Sequence, residues 1–251
     1  MSENEAPKLS GQFPNTWNGM DVFFIVIGIF IIFFITAGLI FVSVYIYTPV
    51  SSLLDQQTTI YLSIGSALIE SLAIVGSVYI FGIRRRKYKW VAAGIRPTSQ
   101  RWLAISIALG LLAIPISSFV AIIVQYILKL PIENPQISFL LPEDISVIGM
   151  LIMSILVGIV VPFAEELFFR GILYQWLRGR FGVWLGILGS SLLFGIVHGD
   201  IAVASAAFVL GVLLAVVFER SRSLWPCVFI HSINNGVKIL FLYSAFNLSG
   251  T

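Results

Sequence analysis

The stretch VFFIVIGIFIIFFITAGLIFVSVYIY, residues 22–47, runs for 26 residues without a charged side chain. A helix needs roughly 20 apolar residues to cross about 30 Å of hydrocarbon, so this stretch predicts a transmembrane helix. The rest of the chain has the same character. Of its 251 residues, 58% are hydrophobic and 11% are charged, whereas about 25% are charged in soluble domains. The sequence therefore predicts a protein of the lipid bilayer.

Six more apolar segments follow, separated by charged or proline-rich interruptions. The seven predicted spans are residues 22–47, 60–83, 102–128, 145–163, 182–197, 201–218 and 225–243. The last three are short or closely spaced, so a re-entrant or broken helix among them is an alternative. A further alternative is an eighth helix within 165–180. The predicted fold is an all-α, polytopic transmembrane helical bundle of about seven to eight spans.

The positive charges lie between the apolar segments and set the predicted orientation, because cytoplasmic loops carry an excess of Lys and Arg. The largest cluster is the segment 84–101. If the N-terminus is cytoplasmic, 13 of the 15 Lys and Arg residues lie on the cytoplasmic side. We interpret these charges as a topology signal and expect no nucleic-acid partner. The sequence predicts a multi-pass protein of the cell membrane with a cytoplasmic N-terminus.

Two adjacent acids stand in the apolar and aromatic segment VPFAEELFFR, residues 161–170. Ionisable groups within a span cost about 2.5–3.5 kcal/mol each on insertion scales, so each needs a partner or a purpose. On a helix Glu166 lies one turn before Arg170, which favours an ion pair. Glu165 points about 100° away and lacks that partner. It is therefore the candidate general base. Alternatively, both acids are structural counter-charges for Arg170 and nearby loop arginines.

The two histidines of the chain also fall in apolar segments. Phe194 and His198 are one helical turn apart, so the phenyl ring can pack on the imidazole and hold its rotamer. His231 and Asn235 are likewise one turn apart and present an imidazole and an amide on one helix face. A histidine alone in such a segment is more often a packing residue than a catalyst. Three polar clusters in successive membrane helices instead indicate a site.

The patterns Glu-Glu-x-x-x-Arg, Phe-x-x-x-His and His-x-x-x-Asn, in this order, resemble the signature of the CAAX protease and bacteriocin-processing (CPBP/Abi) family of intramembrane proteases. This family includes the type II CAAX prenyl proteases. The resemblance covers about residues 101–243. It implies that Glu165 activates water with help from His198, and that His231 and Asn235 stabilise the oxyanion. Three residues occupy supporting motif positions: Glu166, Arg170 and Phe194. Because Asn234 lies beside Asn235, the sequence leaves open which amide is used.

The resemblance also divides the chain. Residues 101–251 are expected to form a CPBP-like protease core, and residues 1–100 a polar tail, two accessory transmembrane helices and a basic cytoplasmic loop. The expected activity is hydrolysis of a peptide bond in a membrane-associated protein or peptide within the bilayer. The rival class is a non-proteolytic membrane protein, such as a proton-coupled transporter or a scaffold with a buried Glu/His network. Glu70 and Lys238 are expected to neutralise each other across the bundle.

The predicted helix ends conflict with the predicted site. On straight helices they separate Glu165 from His198 by more than about 20 Å, at roughly 1.5 Å per residue. Kinks, a re-entrant turn or a shifted boundary would resolve the conflict, and Pro162, Gly182, Gly186 and Gly189 are places for one.

One Glu and two His residues also permit a zinc site formed by Glu165, His198 and His231, with an open position for water. However, the short His-Glu-x-x-His spacing of many zinc proteases is absent. The amide of Asn235 is a poor zinc ligand and a good hydrogen-bond donor. The sequence therefore predicts no metal and no other cofactor, with zinc as the alternative.

The charge pattern generates a topological prediction. A cysteine placed at position 87, in a chain whose Cys227 is replaced by serine, should react with a membrane-impermeant thiol reagent only after the cytoplasmic face is opened. Modification of position 87 in intact cells would contradict the predicted orientation.

Overall fold

The computed structural model describes residues 16–47, 56–131 and 146–249, and these residues form seven helices and no β-strand. The helices are α1 (Gly19–Tyr47), α2 (Gln56–Ser77, continued by the π-helical segment Val78–Arg84), α3 (Gln100–Leu128), α4 (Val147–Phe181), α5 (Val183–Ile196), α6 (Ile201–Ser221) and α7 (Leu224–Ser249). The predicted all-α fold is confirmed. The predicted polar tail, up to residue 15, and position 145 lie outside the described residues.

Five of these helices, α1 to α4 and α6, are long and apolar enough to cross a membrane. Helix α5 has 14 residues, or about 21 Å at roughly 1.5 Å per residue, which is shorter than the ~30 Å of hydrocarbon. Helix α7 has 26 residues, but its polar side chains lower its hydropathy and it is not among the five. All seven predicted segments are therefore helical, and one of the last three is too short to span.

Helix α4 continues without a break through the Glu-Glu-x-x-x-Arg motif, so the predicted boundary after residue 163 is wrong. The predicted alternative of a separate helix within 165–180 is also wrong, because these residues continue α4. Pro162 removes a backbone donor that a helix interior would normally use. It is the second residue after the π-helical segment Leu156–Val160, where the widened hydrogen-bond pattern already departs from the α-helix. The proline therefore does not end the helix.

Helices α4 and α5 form an antiparallel hairpin that turns at Gly182. This glycine has φ +86° and ψ 176°, a conformation that side-chain-bearing residues avoid. The two arms are in close contact: a Cβ on Gly186 would lie 2.9 Å from the Cα of Arg178. Further from the turn, the rings of Phe169 and Phe194 meet edge to face with centroids 5.0 Å apart. Contacts thus join residues at similar sequence distances from the turn.

This register explains how two motifs on different helices can face one cavity. Glu165 lies 17 residues before Gly182 and His198 lies 16 residues after it. Residues equally far from the turn of an antiparallel hairpin lie at the same depth, since both arms rise about 1.5 Å per residue. The shifted end of α4 therefore removes the separation that straight helices with the predicted ends would impose.

Contacts among the basic segments place them at one end of the bundle. Arg85, after α2, pairs with Asp21 at the start of α1. The hydroxyl of Ser223 donates to the backbone carbonyl of Arg96. Glu219, near the end of α6, accepts two hydrogen bonds from an arginine of α4. This arrangement agrees with the charge asymmetry of the sequence. That this end of the bundle is the cytoplasmic one stays a prediction.

The outer surface of the bundle is apolar. Large side chains such as Phe41, 65% exposed, and Trp184, 74% exposed, stand on its outside among many exposed Ile and Leu residues. A soluble monomer rarely exposes apolar patches of more than a few hundred Å². The surface therefore suits hydrocarbon, with the polar side chains of the motifs turned inward.

The close packing of α5 on α6 generates a stability prediction. A Cβ on Gly195 would lie 2.6 Å from the backbone carbonyl O of Ala204, so Gly195→Ala should force the helices apart and destabilise the fold by about 1–3 kcal/mol. The control is Gly38→Ala, because nothing lies within 4 Å of a Cβ there. Alanine is intrinsically the better helix former by about 1 kcal/mol. Thermal unfolding in detergent should therefore show a lower midpoint for Gly195→Ala alone, and equal midpoints would refute the packing argument.

Candidate active site

A buried ion pair on α4 lies at the centre of the motif residues. Arg170 Nη1 donates to Glu166 Oε1 at 2.8 Å, and the two side chains are 1% and 0% exposed. The predicted pairing of Glu166 with Arg170 is therefore confirmed. The guanidinium also donates to the backbone carbonyl of Gly211 and lies 4.5 Å from the ring centroid of Phe194. The pair thus ties α4 to α5 and α6.

His231 of α7 binds the same carboxylate. Its Nδ1 lies 2.9 Å from Glu166 Oε1. An ionised carboxylate only accepts hydrogen bonds, so Nδ1 carries the hydrogen and donates it. The opposite ring nitrogen, Nε2, lies 3.3 Å from Asn235 Nδ2. The predicted shared face of His231 and Asn235 is confirmed, and the imidazole connects α4 with α7.

Glu165 is not engaged by the arginine. Its Oε2 lies 3.6 Å from His231 Nε2, and its side chain is 14% exposed, in contrast to the fully buried Glu166. The two adjacent carboxyl groups therefore have different surroundings. Glu166 is held between Arg170 and His231, whereas Glu165 lines an open cavity.

His198 follows the end of α5, and its orientation is set by its own helix. Its Nδ1 lies 2.8 Å from the backbone carbonyl O of Phe194. A carbonyl oxygen only accepts, so Nδ1 donates and Nε2 of the neutral ring keeps a free lone pair. The ring of Phe194 packs edge to face on His198 at 5.1 Å and on His231 at 5.6 Å. The predicted contact of Phe194 with His198 is confirmed, and the same ring orders both imidazoles.

These side chains share one cavity of about 610 Å³. Its polar walls are contributed by residues from four helices and the end of a fifth: Ser63, Ser66, Glu70, Ser117, Ser118, Glu165, His198, His231, Asn234, Asn235 and Lys238. The structure therefore brings all four predicted catalytic residues to one space. Its size suits a segment of peptide chain together with water.

Several of these wall residues were not assigned to the site by the sequence. Ser63, Ser66 and Glu70 come from α2, one of the two predicted accessory helices. For Glu70, the sequence signal was a charged residue within an apolar segment. The two serines had no such signal, because isolated serines are common in membrane helices.

The expected neutralisation of Glu70 by Lys238 is not found. No ion pair joins them among the residues that the structure describes. Lys238 Nζ instead donates to Ser117 Oγ at 2.7 Å. Both charged groups face the cavity, and Lys238 is bound to a neutral partner.

A metal site was the alternative interpretation of Glu165, His198 and His231. Within residues 16–47, 56–131 and 146–249, no three His, Cys, Asp or Glu side chains converge closely enough to hold an ion. His231 donates through Nδ1 to Glu166, and only its Nε2 is directed toward Glu165. The zinc alternative and the expected absence of a cofactor both stay predictions.

Comparisons with known proteins match the part of the chain that carries the motifs. The family described as "Type II CAAX prenyl endopeptidase Rce1-like" matches residues 147–237. The protein YdiL of Bacillus subtilis (strain 168), whose name describes it as a candidate membrane peptidase, is 31% identical over 91 residues. That match covers 36% of this chain and 36% of YdiL. No solved structure matches the chain significantly.

The matched segment begins at the first residue of α4 and ends two residues after Asn235, so it contains all three motifs. Over residues 147–237 the chain is similar to the type II CAAX prenyl endopeptidases, which confirms the resemblance to the CAAX protease and bacteriocin-processing family.

Proposed function

We propose that this protein is an intramembrane endopeptidase that hydrolyses a peptide bond of a membrane-associated protein or peptide. The observation that carries the proposal is the single cavity faced by Glu165, His198, His231 and Asn235. Amide hydrolysis needs a base for water, a proton donor for the leaving amine and donors for the developing oxyanion. The similarity to a family of endopeptidases supports the same reaction.

Glu165 is the proposed general base. Its carboxylate faces the cavity and has no arginine bound to it, so it is available to accept a proton. Water held by Glu165 and the free Nε2 of His198 loses that proton as its oxygen attacks the carbonyl carbon of the substrate. The C–N bond then breaks, and the leaving nitrogen receives the proton from Glu165, directly or through His198.

The proposed oxyanion site is formed by Asn235 and His231. One amide hydrogen of Asn235 is directed to His231 Nε2, which leaves the second for the substrate oxygen. In the neutral ring Nε2 accepts that hydrogen, so His231 orients the amide; it becomes a donor to the oxyanion only when a proton at Nε2 replaces this bond. The buried Glu166 and Arg170 hold this imidazole in place, so the donors are oriented before the charge develops.

The proposed setting is the cell membrane, with the N-terminus in the cytoplasm and lipid around the bundle. The substrate enters a cavity whose polar wall is surrounded by apolar helices. We propose a protein or peptide substrate on this basis and assign no prenyl group to it, since none of the described contacts identifies a binding place for one. Nucleic acid is not part of the proposal.

The proposed base is tested by substitution. Glu165→Gln and His198→Ala should each reduce cleavage by about 10²- to 10⁴-fold, the usual contribution of an acid or base group, while both variants still insert in the membrane. The control Glu219→Gln makes the same change at the basic end, away from the cavity, and should retain activity.

The measurement compares membrane proteomes of a deletion strain complemented with each variant. A membrane protein that stays uncleaved with Glu165→Gln, but is cleaved with Glu219→Gln, identifies the substrate. Full cleavage by Glu165→Gln would show that the base is wrongly assigned. If no protein changes, while Glu165→Gln alters proton flux through liposomes, the rival class of proton-coupled transporter is correct.

The proposed chemistry also needs no metal. Purified protein incubated with a strong chelator should keep its activity and contain substoichiometric zinc, because no three His, Cys, Asp or Glu side chains among the described residues are grouped closely enough to hold an ion. A loss of activity that added zinc restores would make the protein a metalloprotease.

A further inference from the structure

We propose that Lys238, acting through Ser117 and Asn234, is a positioning residue that fixes the amide of Asn235 in the oxyanion site. This inference rests on the proposed function. None of these three residues belongs to the motifs, and Ser117 and Lys238 also lie outside the matched segment 147–237.

The contacts form one unbroken chain across the helices α3 and α7. Lys238 Nζ donates to Ser117 Oγ at 2.7 Å, and Ser117 Oγ lies 3.3 Å from Asn234 Oδ1. Asn234 Nδ2 donates to Asn235 Oδ1 at 3.0 Å. Asn235 Nδ2 in turn lies 3.3 Å from His231 Nε2.

The two ends of this chain and the position of the Asn234 oxygen give its bonds one direction. An ammonium group only donates, so Ser117 Oγ accepts from Lys238. The amide oxygen of Asn234 faces the same hydroxyl and accepts its hydrogen. This leaves the amide nitrogen of Asn234 as the donor to Asn235. At the other end, Glu166 only accepts, so His231 donates through Nδ1 and receives at Nε2. The chain therefore has one consistent direction from Lys238 to Glu166.

The direction of these bonds determines the orientation of the Asn235 amide. An amide can rotate by about 180°, which exchanges an acceptor for a donor with little change in shape. Asn234 places a donor against the oxygen of Asn235, which directs the nitrogen of Asn235 toward His231. If the amide of Asn235 were reversed, its nitrogen would face the amide nitrogen of Asn234, donor against donor. Its oxygen would then face the oxyanion. This chain also resolves the ambiguity of the sequence: Asn235 is the donor, and Asn234 orients it.

Burial makes the chain specific. Ser117 and Asn234 are each 3% exposed, and His231 is 2% exposed, so water has little access to replace a lost bond. One competitor exists within the protein: Ser117 Oγ also lies 3.2 Å from the carbonyl O of Ile114. Without the ammonium, the hydroxyl could donate to that carbonyl and accept from the nitrogen of a reversed Asn234 amide. Lys238 opposes this reversal, because its donor occupies an acceptor position of the hydroxyl and its positive charge favours the amide oxygen over the amide nitrogen on that side.

The first test needs no substrate. In protein labelled with ¹⁵N-asparagine, the side-chain amide signals of Asn234 and Asn235 are assigned by substitution and compared between variants in detergent. Ser117→Ala and Lys238→Met should shift the signals of Asn235. Two variants should leave them in place: Lys238→Arg, which keeps a donor-only cation, and Ser118→Ala, which removes a neighbouring cavity hydroxyl that is outside the chain. Unchanged Asn235 signals in Ser117→Ala and Lys238→Met would overturn the proposal.

The second test uses the membrane protein whose cleavage requires Glu165, purified as the substrate. Ser117→Ala should lower kcat by about 10-fold or more with KM little changed, because a misplaced donor loses part of the roughly 10²- to 10³-fold that an oxyanion donor contributes. Asn234→Asp should do the same, since it keeps the shape of the side chain and removes its donor.

A double substitution separates this inference from the proposed function. In an Asn235→Ala background, Ser117→Ala should have no further effect on kcat, since its only route of action is gone. If Asn235→Ala loses activity and Ser117→Ala does not, the positioning chain is refuted and the proposed function stands. If Asn235→Ala retains full activity, the proposed oxyanion site itself is wrong.

Discussion

A charge pair buried inside a bundle that faces hydrocarbon constrains the rest of this structure. Glu166 and Arg170 have almost no exposure, and removal of one partner from such a pair costs about 3–5 kcal/mol because the other charge is stranded. The pair must therefore stay together. Since His231 donates to the same carboxylate oxygen that the guanidinium binds, the imidazole of α7 is fixed relative to α4. The positions of α4 and α7 at the candidate site are therefore set by this buried charge pair as well as by apolar packing.

Local spacing in the sequence predicted contacts within one helix turn, whereas the shared site of several helices was predicted only through the family resemblance. Spacing alone gave the pairs Glu166 with Arg170 and Phe194 with His198, because residues four apart share a helix face. The bond between His231 and Glu166 joins positions 65 apart, and no local pattern encodes it. The end of α4 was missed for a different reason. Hydropathy counts each charge separately, whereas the acid and the arginine of the motif neutralise each other and let the helix continue.

The candidate machinery and the walls of its cavity come from different parts of the chain. The matched segment 147–237 supplies the four proposed catalytic residues. Helix α2, outside that segment, adds Glu70 and two serines, and α3 adds Ser117 and Ser118. No sequence pattern connected α2 with the site, since its single acid had an expected partner in Lys238. The structure makes α2 a side of the cavity, so the surface that a substrate meets is broader than the motifs.

The hairpin at Gly182 has a consequence for how such a chain can change in length. A residue inserted between Glu165 and the turn would move the carboxylate by about 1.5 Å along the helix and rotate it by about 100° relative to His198. A matching insertion in the other arm, or a local widening of the helix, is needed to restore the alignment. The π-helical segment Phe169–Tyr174 lies in this arm, and such segments accommodate one extra residue within a helix. The lengths of the two arms are therefore coupled. The difference between them determines whether Glu165 and His198 are aligned, which neither motif specifies alone.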